Sequence, residues 1–378
     1  MRIPFVTPRL GAPEVRAVVR ALRNGWIGGN GQVCREVQTR LEELTGARHA
    51  LLTPSATQAM EVYLLAAGIG PGDEVVMPSF AFVSQANAIL ARGATPVFCE
   101  IDPHTLNLDP ADVEARVTER TRAVLPVHYA GIACDLDALG ELAERRGLRV
   151  LEDAAQALGA RWRGRQLGTV GHAGFLSFHS TKNLVCGEGG ALLTDDDELF
   201  RAAEIVQEKG TNRTAFLRGE IDKYTWVGPG GSYVLSDLLA ALLGAQLERL
   251  DALTAARVRV WEAYHEGLAD EERRGLLRRP VVPDGVEHNG HIYALRLPDA
   301  AARQRLIDGL RERGVSATFH FQPLHASPYA GEKLGLDPRS LPHTLEAADT
   351  LVRLPVHDRL RRRHVEYVLR AVRAALGA

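Results

Sequence analysis

The sequence predicts an α/β protein: a large domain with a mostly parallel central sheet, followed by a smaller α+β domain. Two observations carry this. From residue 49 to about residue 152, short apolar runs alternate with amphipathic stretches of helical period, strand then helix, four times over before a fifth strand. Past residue 271 the rhythm breaks: a charged, proline-interrupted segment leads into a shorter mixture of strand and helix. The length of 378 residues suits two or three domains and a large core.

In chain order, 13–23 reads as a short helix ended by Asn24-Gly25, and 34–44 as an amphipathic helix stopped near Gly46. Strands are expected at 49–53, 74–77, 96–100, 122–127 and 149–152, with helices between them at 58–67, 82–91, 111–117 and 136–146. Phe175-Leu176 carries strand character into the hydroxyl-rich turn Ser177 to Asn183. The glycine cluster Gly187-Glu188-Gly189-Gly190 then feeds the strand 191–194. A long Ala- and Leu-rich helix covers 235–253, and its pattern continues over 256–268. The segment 271–284 reads as a boundary. Beyond it come a strand at 291–297, a helix at 301–313, a strand at 316–321, and helices at 345–353 and 364–375. We divide the chain at 1–250 and 251–378.

Composition excludes several functions. A net charge of -2 gives no reason to expect a nucleic-acid partner, and Arg361-Arg362-Arg363 reads as a solvated helix end. The four cysteines, Cys34, Cys99, Cys134 and Cys186, have no CxxC spacing and fit free thiols in a cytoplasmic protein. No stretch has the pattern of a signal peptide or a membrane span. The pairs His288/His291 and His320/His325 lack a third ligand at metal spacing, so no metal is expected.

In an open parallel sheet, ligands gather at the carboxyl ends of the strands, and Thr57, Phe82, His128 and Asp153 all lie near such ends. Taken singly, each candidate has an ordinary reading. Ser55-Ala56-Thr57 is a helix N-cap or a phosphate site. Asp153 is a helix cap or the partner of a ring nitrogen. Phe80-Ala81-Phe82 is core packing or a stacking face. Lys182, among Ser, Thr, His and Asn, is a surface lysine or a Schiff-base amine. Pyridoxal 5′-phosphate (PLP) needs all four together: an amine, a phosphate cup, a carboxylate at the ring nitrogen and a stacking face. There is no GxGxxG after the first strand and no Walker lysine loop.

Ser55-Ala56-Thr57, Pro78-x-x-x-Phe82, Pro126-Val127-His128, Glu152-Asp153-Ala154-Ala155-Gln156 and Ser177-Phe178-His179-x-x-Lys182-Asn183 appear in the order and spacing of the DegT/DnrJ/StrS family. The chain closely resembles these PLP-dependent aminotransferases of nucleotide-linked keto sugars from about Trp26 to Pro355. The resemblance implies the aspartate-aminotransferase-like fold (fold type I) and a homodimer whose active sites are shared across its interface. It implies that Lys182 carries the cofactor in Schiff-base linkage, that Asp153 pairs with the ring nitrogen, and that Gln156 meets the ring hydroxyl. Phe82 stacks on the ring, and Ser55, Ala56, Thr57 and Ser177 bind the phosphate. Where many members have an asparagine reaching the neighbouring subunit's phosphate, this chain has Val234, and Ser232 is taken as its stand-in. The substrate falls to Trp26, His128 and Glu188, together with Lys209, Arg213, Arg218 and Tyr224.

The segment from Lys209 to Trp226 resembles, more narrowly, the dTDP-4-amino-4,6-dideoxygalactose transaminase branch. That implies glutamate as amino donor and dTDP-4-keto-6-deoxy-D-glucose as acceptor, with Lys182 moving the proton in both half-reactions. Amination at C3, a sugar on another nucleotide, and a PLP-binding regulator without turnover stay open as alternatives.

Overall fold

The structure, a computed structural model, describes residues 1–377. The first half contains helices α1 (Ala12–Arg23), α2 (Gln32–Thr45), α3 (Ala56–Ala66), α4 (Ser84–Ala91), α5 (Pro110–Arg116) and α6 (Leu136–Arg146). Among them run strands β1 (His49–Thr53), β2 (Glu74–Pro78), β3 (Thr95–Cys99), β4 (Thr121–Val124) and β5 (Arg149–Asp153). Next come β6 (Arg161–Trp162), β7 (Arg165–Gln166), β8 (Ala173–Ser177) and β9 (Gly190–Thr194), then α7 (Asp197–Gln207), α8 (Arg213–Leu217), α9 (Asp237–Leu247), α10 (Leu250–Gly267) and α11 (Ala269–Arg273). The chain ends with β10 (Val286–Glu287), β11 (Tyr293–Arg296), α12 (Ala300–Glu312), α13 (Pro328–Leu334), α14 (Pro342–Thr350), β12 (Leu351–Leu354) and α15 (Arg362–Leu376).

Seven strands form the central sheet in the order β1-β9-β8-β5-β4-β2-β3, and only β9 runs against the rest. The strands read as near-continuous apolar runs because helices cover both faces. Helix ends follow local chemistry. Ser55 caps α3 by accepting from the Gln58 N–H, and Asp135 caps α6 by accepting from the Ala138 N–H. Gly147 closes α6 in the left-handed conformation (φ 66°).

A separate apolar cluster joins Val260, Trp261 and Tyr264 of α10 to β11, β12, α12 and α15, and Ile3 from the N-terminus packs into it. Our division at residue 250 remains a proposal; it falls where α9 gives way to α10. The two parts are tied by Glu100, at the end of β3, whose carboxylate accepts from the N–H groups of His343 and Thr344 in the first turn of α14. Among the described residues, no helix is long and apolar enough to cross a membrane.

Three expectations are corrected. The helix read over 235–253 breaks at Glu248–Arg249: α9 is buried among α1 and α2, while α10 turns away to join the second cluster. The strand read over 316–321 is limited to an isolated bridge, Thr318 to Arg353, because His320 and Phe321 turn inward as an aromatic stack instead of extending a sheet. The helix read over 345–353 stops at Thr350. Leu351 to Leu354 become a strand because β11 supplies a ladder partner that no local signal announces.

Candidate active site

The carboxyl ends of β1, β2, β5 and β8 open on one cavity of about 550 Å³. Because β9 is antiparallel, its first residue, Gly190, lies at the same edge. The second cluster closes the cavity with His291, His320, Phe321 and Arg353, and the N-terminal strand-like segment adds Phe5 and Val6.

At one end the cavity is built for a phosphate. Ser55, Ala56 and Thr57 line it. Ser55 Oγ is engaged as the helix cap, but the N–H groups of Ala56 and Thr57 have no protein acceptor among the described residues. They point along the positive end of α3. Thr57 Oγ1 donates to Ser84 Oγ at 2.7 Å. Gly190 lets this loop sit against β9: a Cβ there would lie 2.3 Å from Ser55 C and 2.4 Å from Ala56 N. Ser177 also lines this cavity.

At the ring end, Asp153 is the last residue of β5 and only 8% exposed. Its Oδ1 accepts from the Ala155 N–H at 2.9 Å and its Oδ2 from Gln85 Nε2 at 2.6 Å. Gln156 Oε1 accepts from the Ala130 N–H at 2.7 Å, which leaves its amide NH2 for a ligand. The two aromatics read together in the sequence separate here. Phe80 is buried against Tyr129 and Phe321, whereas Phe82 is 60% exposed and forms a cavity wall.

Lys182 stands on a turn held to 186–189 by backbone bonds, Phe178 N to Gly189 O and Ser180 N to Gly187 O among them. Burial pushes its ammonium below the ordinary lysine range; the Asp153 carboxylate opposes this and the Arg353 guanidinium adds to it. A lysine held this way spends more time as the free amine, the nucleophilic form.

Residues 8–373 match the family profile described as the DegT/DnrJ/EryC1/StrS aminotransferase family. The chain belongs to that family. It is 36% identical to the spore coat polysaccharide biosynthesis protein SpsC of Bacillus subtilis (strain 168), over 98% of this chain and 96% of that protein. It is similar to the solved structure of DesV from S. venezuelae in complex with a ketimine intermediate, with a TM-score of 0.90 and 34% identity over 100% of this chain and 99% of that one. A protein assigned as a sugar aminotransferase, Spr1654 of Streptococcus pneumoniae, solved in its PLP form, superposes with a TM-score of 0.92 at 27% identity over 100% of this chain and 99% of that one. The fold is therefore that of the aspartate-aminotransferase-like PLP enzymes, and the protein is a PLP-dependent aminotransferase.

The residues present in this family member fit that cofactor. Two unpaired N–H groups at a helix N-terminus suit its phosphate, a fixed carboxylate suits its ring nitrogen, and an amine of lowered basicity suits its aldehyde.

Several candidates lie elsewhere. His128 is fully enclosed: Nδ1 accepts from the Cys134 N–H at 3.2 Å and Nε2 donates to Glu152 at 2.8 Å. Its reading as a substrate contact is dropped, since neither nitrogen reaches the cavity. Glu152 is held ionised by that ring and by the N–H groups of Gly168, Val170 and Gly171. Glu188 does line the cavity. Trp26, Tyr224 and Ser232 are exposed and line no part of it within this chain. Lys209 and Arg213 also lie outside it, both paired with Glu208 at 3.3 and 3.4 Å. Arg218 pairs with Glu204 and Glu220, at 2.7 Å each. Val234 packs against Gly29, where a Cβ would meet its Cγ2 at 2.4 Å.

Sequence reasoning passed over Gln85, Arg257 and Arg353, and weighed His291 and His320 only as metal ligands; all five shape the cavity or its bonds. Arg257 is 7% exposed, donates to the carbonyls of Gly290 and His291, and is pushed down to about 10 by burial. His291 Nδ1 donates to Asn183 Oδ1 at 2.8 Å, and burial with the nearby Lys182 charge drives the ring well below the ordinary histidine range. Arg353 donates to Phe319 O and lies over the Phe5 ring at 4.9 Å, with no carboxylate partner among the described residues. The misread segments 316–321 and 345–353 hid His320 and Arg353, because neither reading brought those side chains to a ligand edge.

Proposed function

We propose that this aminotransferase takes the amino group of L-glutamate and transfers it to C4 of dTDP-4-keto-6-deoxy-D-glucose, giving dTDP-4-amino-4,6-dideoxy-D-galactose. One observation carries the aminotransferase chemistry of this reading: a single cavity holds a lysine of lowered basicity, a fixed carboxylate, and a phosphate cup at the edge of the sheet. When bound, PLP supplies an electron sink that lets the proton on the amino-bearing carbon be removed. Lys182 would be the group that holds and returns that proton, as general base and acid. Asp153 would hold the ring nitrogen, Phe82 would offer a stacking face, and the free amide NH2 of Gln156 would meet the ring hydroxyl. Arg353 and Arg257, cations without carboxylate partners, receive the carboxylates of the donor.

A sugar acceptor is supported by the polysaccharide-biosynthesis name of SpsC and by the assignment of Spr1654. The nucleotide and the position of the keto group rest on the resemblance of the segment from Lys209 to Trp226. Within it Lys223 has no carboxylate partner among the described residues and remains available to a diphosphate. Phe216, Leu217, Tyr224 and Trp226 are exposed on this segment, and Val227, Trp26 and Ile27 are exposed as well. That apolar surface supports a homodimer in which each subunit's loop completes the other's substrate site. The four cysteines are free and buried, which suits a reducing cytoplasm.

The test is incubation of purified holoenzyme with glutamate and dTDP-4-keto-6-deoxy-D-glucose, with the product characterised by mass and by NMR ring couplings. An axial C4 amine is expected. An equatorial one would make the product the gluco epimer, and an amine at C3 would move the enzyme to another acceptor class.

A further inference from the structure

Gln85 sits in the first turn of α4, fully buried, and points its amide at Asp153. Its Nε2 donates to Asp153 Oδ2 at 2.6 Å, while its own Oε1 has no hydrogen-bond partner. A buried acceptor left unpaired calls for a reason. The amide cannot turn over to relieve it. Turning would aim the carbonyl oxygen at a carboxylate and strand the NH2 group as well. The side chain is thus committed to one act, donating to Asp153. The preceding residue, Ser84, accepts from Thr57 in the phosphate cup, so adjacent residues of one turn hold opposite ends of the cofactor site.

We propose that Gln85 is a positioning residue, which locks the Asp153 carboxylate in the orientation that meets the cofactor's ring nitrogen and acts on the reaction only through Asp153. Two bonds restrain that carboxylate. The Ala155 N–H holds Oδ1 from the following turn, and Gln85 holds Oδ2 from across the sheet edge. Each oxygen keeps a lone pair for the ring. Without Gln85 the carboxylate could rotate about its last bond and would meet the ring nitrogen in that orientation for only part of the time. The proposal rests on reading Asp153 as the ring-nitrogen partner.

The experiment uses full-length protein, with Gln85→Leu, Asp153→Asn and the double variant. Leu conserves volume and removes the unpaired Oε1, so apoprotein melting should hold or rise. PLP titrated into apoprotein should bind Gln85→Leu about tenfold or more weakly. The pH midpoint of the bound cofactor's absorption should move with it. In the Asp153→Asn background, Gln85→Leu should change neither reading further, because the group it acts through is gone. Unchanged PLP affinity and pH midpoint in Gln85→Leu would overturn the proposal. So would a loss of the same size in both backgrounds, which is what a packing role would give. If Asp153→Asn alone leaves affinity and spectrum as in the wild type, the reading of Asp153 fails, and that outcome is distinct from the other two.

Discussion

Gly190→Ala is the substitution whose effect can be worked out most fully from the geometry. The added methyl carbon would lie 2.3 Å from Ser55 C, 2.4 Å from Ala56 N and 2.6 Å from Ser55 O. Carbon atoms in contact sit about 3.5–4.0 Å apart, so something must retreat by more than about 1 Å. The strand is held on both sides, since Gly190 is in register with Thr53 of β1 and Ser177 of β8. The Ser55–Thr57 turn is the part that gives way, and it carries the two free N–H groups of the phosphate cup. Overpacking of this kind costs about 1–3 kcal/mol of stability. A displacement of about 1 Å at a binding group can cost about a hundredfold. Urea denaturation of apoprotein should show the first. Titration with PLP and with pyridoxal, which lacks the phosphate, should show the second as a selective loss for PLP. The reasoning is refuted if PLP binds as in the wild type, or if PLP and pyridoxal weaken alike.

Three further outcomes are expected. Lys182→Met should abolish transamination and the yellow, borohydride-fixable cofactor. Because burial depresses the folded-state basicity of Lys182, the unfolded chain binds more protons and stability rises with pH up to the ordinary lysine range. Apoprotein carrying Lys182→Met should therefore lose that rise and be more stable than wild type at neutral pH, read by denaturation at several pH values. His357 is buried and pushed down to about 4, by burial first and then by the Arg257 charge. The unfolded chain takes up its proton first, so stability should fall by about 3 kcal/mol as pH drops from 6.5 to 4, and His357→Phe should flatten that slope. For the homodimer, mixing Lys182→Ala with Trp226→Ala should restore activity through hybrid sites. No rescue after confirmed subunit exchange would argue that each subunit's site is self-contained.

Much of the large domain was legible because local periodicity and tertiary burial agree there. Strands β1, β2 and β5 bury nearly all their residues, and their apolar runs have no other use. The caps at Ser55 and Asp135 mark helix starts whose chemistry is contained in a few adjacent residues. Lys182, Asp153, Thr57 and Phe82 could be read as a set, since a PLP site asks for an amine, a carboxylate, a phosphate cup and a stacking face together, and they line one cavity; Gln156 came only from the family resemblance.

What only the tertiary structure decided is what depends on distant partners. Leu351 to Leu354 is a strand because β11 offers a ladder, and Lys209, Arg213 and Arg218 are paired because Glu208 and Glu204 lie beside them. His128 leaves the substrate list because Glu152 and Cys134 enclose it. Gln85 carried no local signal at all: a glutamine in a helix is ordinary until the sheet brings Asp153 to its amide. The sequence by itself determined the fold class, the order of elements and the cofactor chemistry, through patterns and groups close along the chain. The packing of the second cluster and the direction of each cavity side chain followed from contacts between residues far apart in sequence, whose sum no local pattern records.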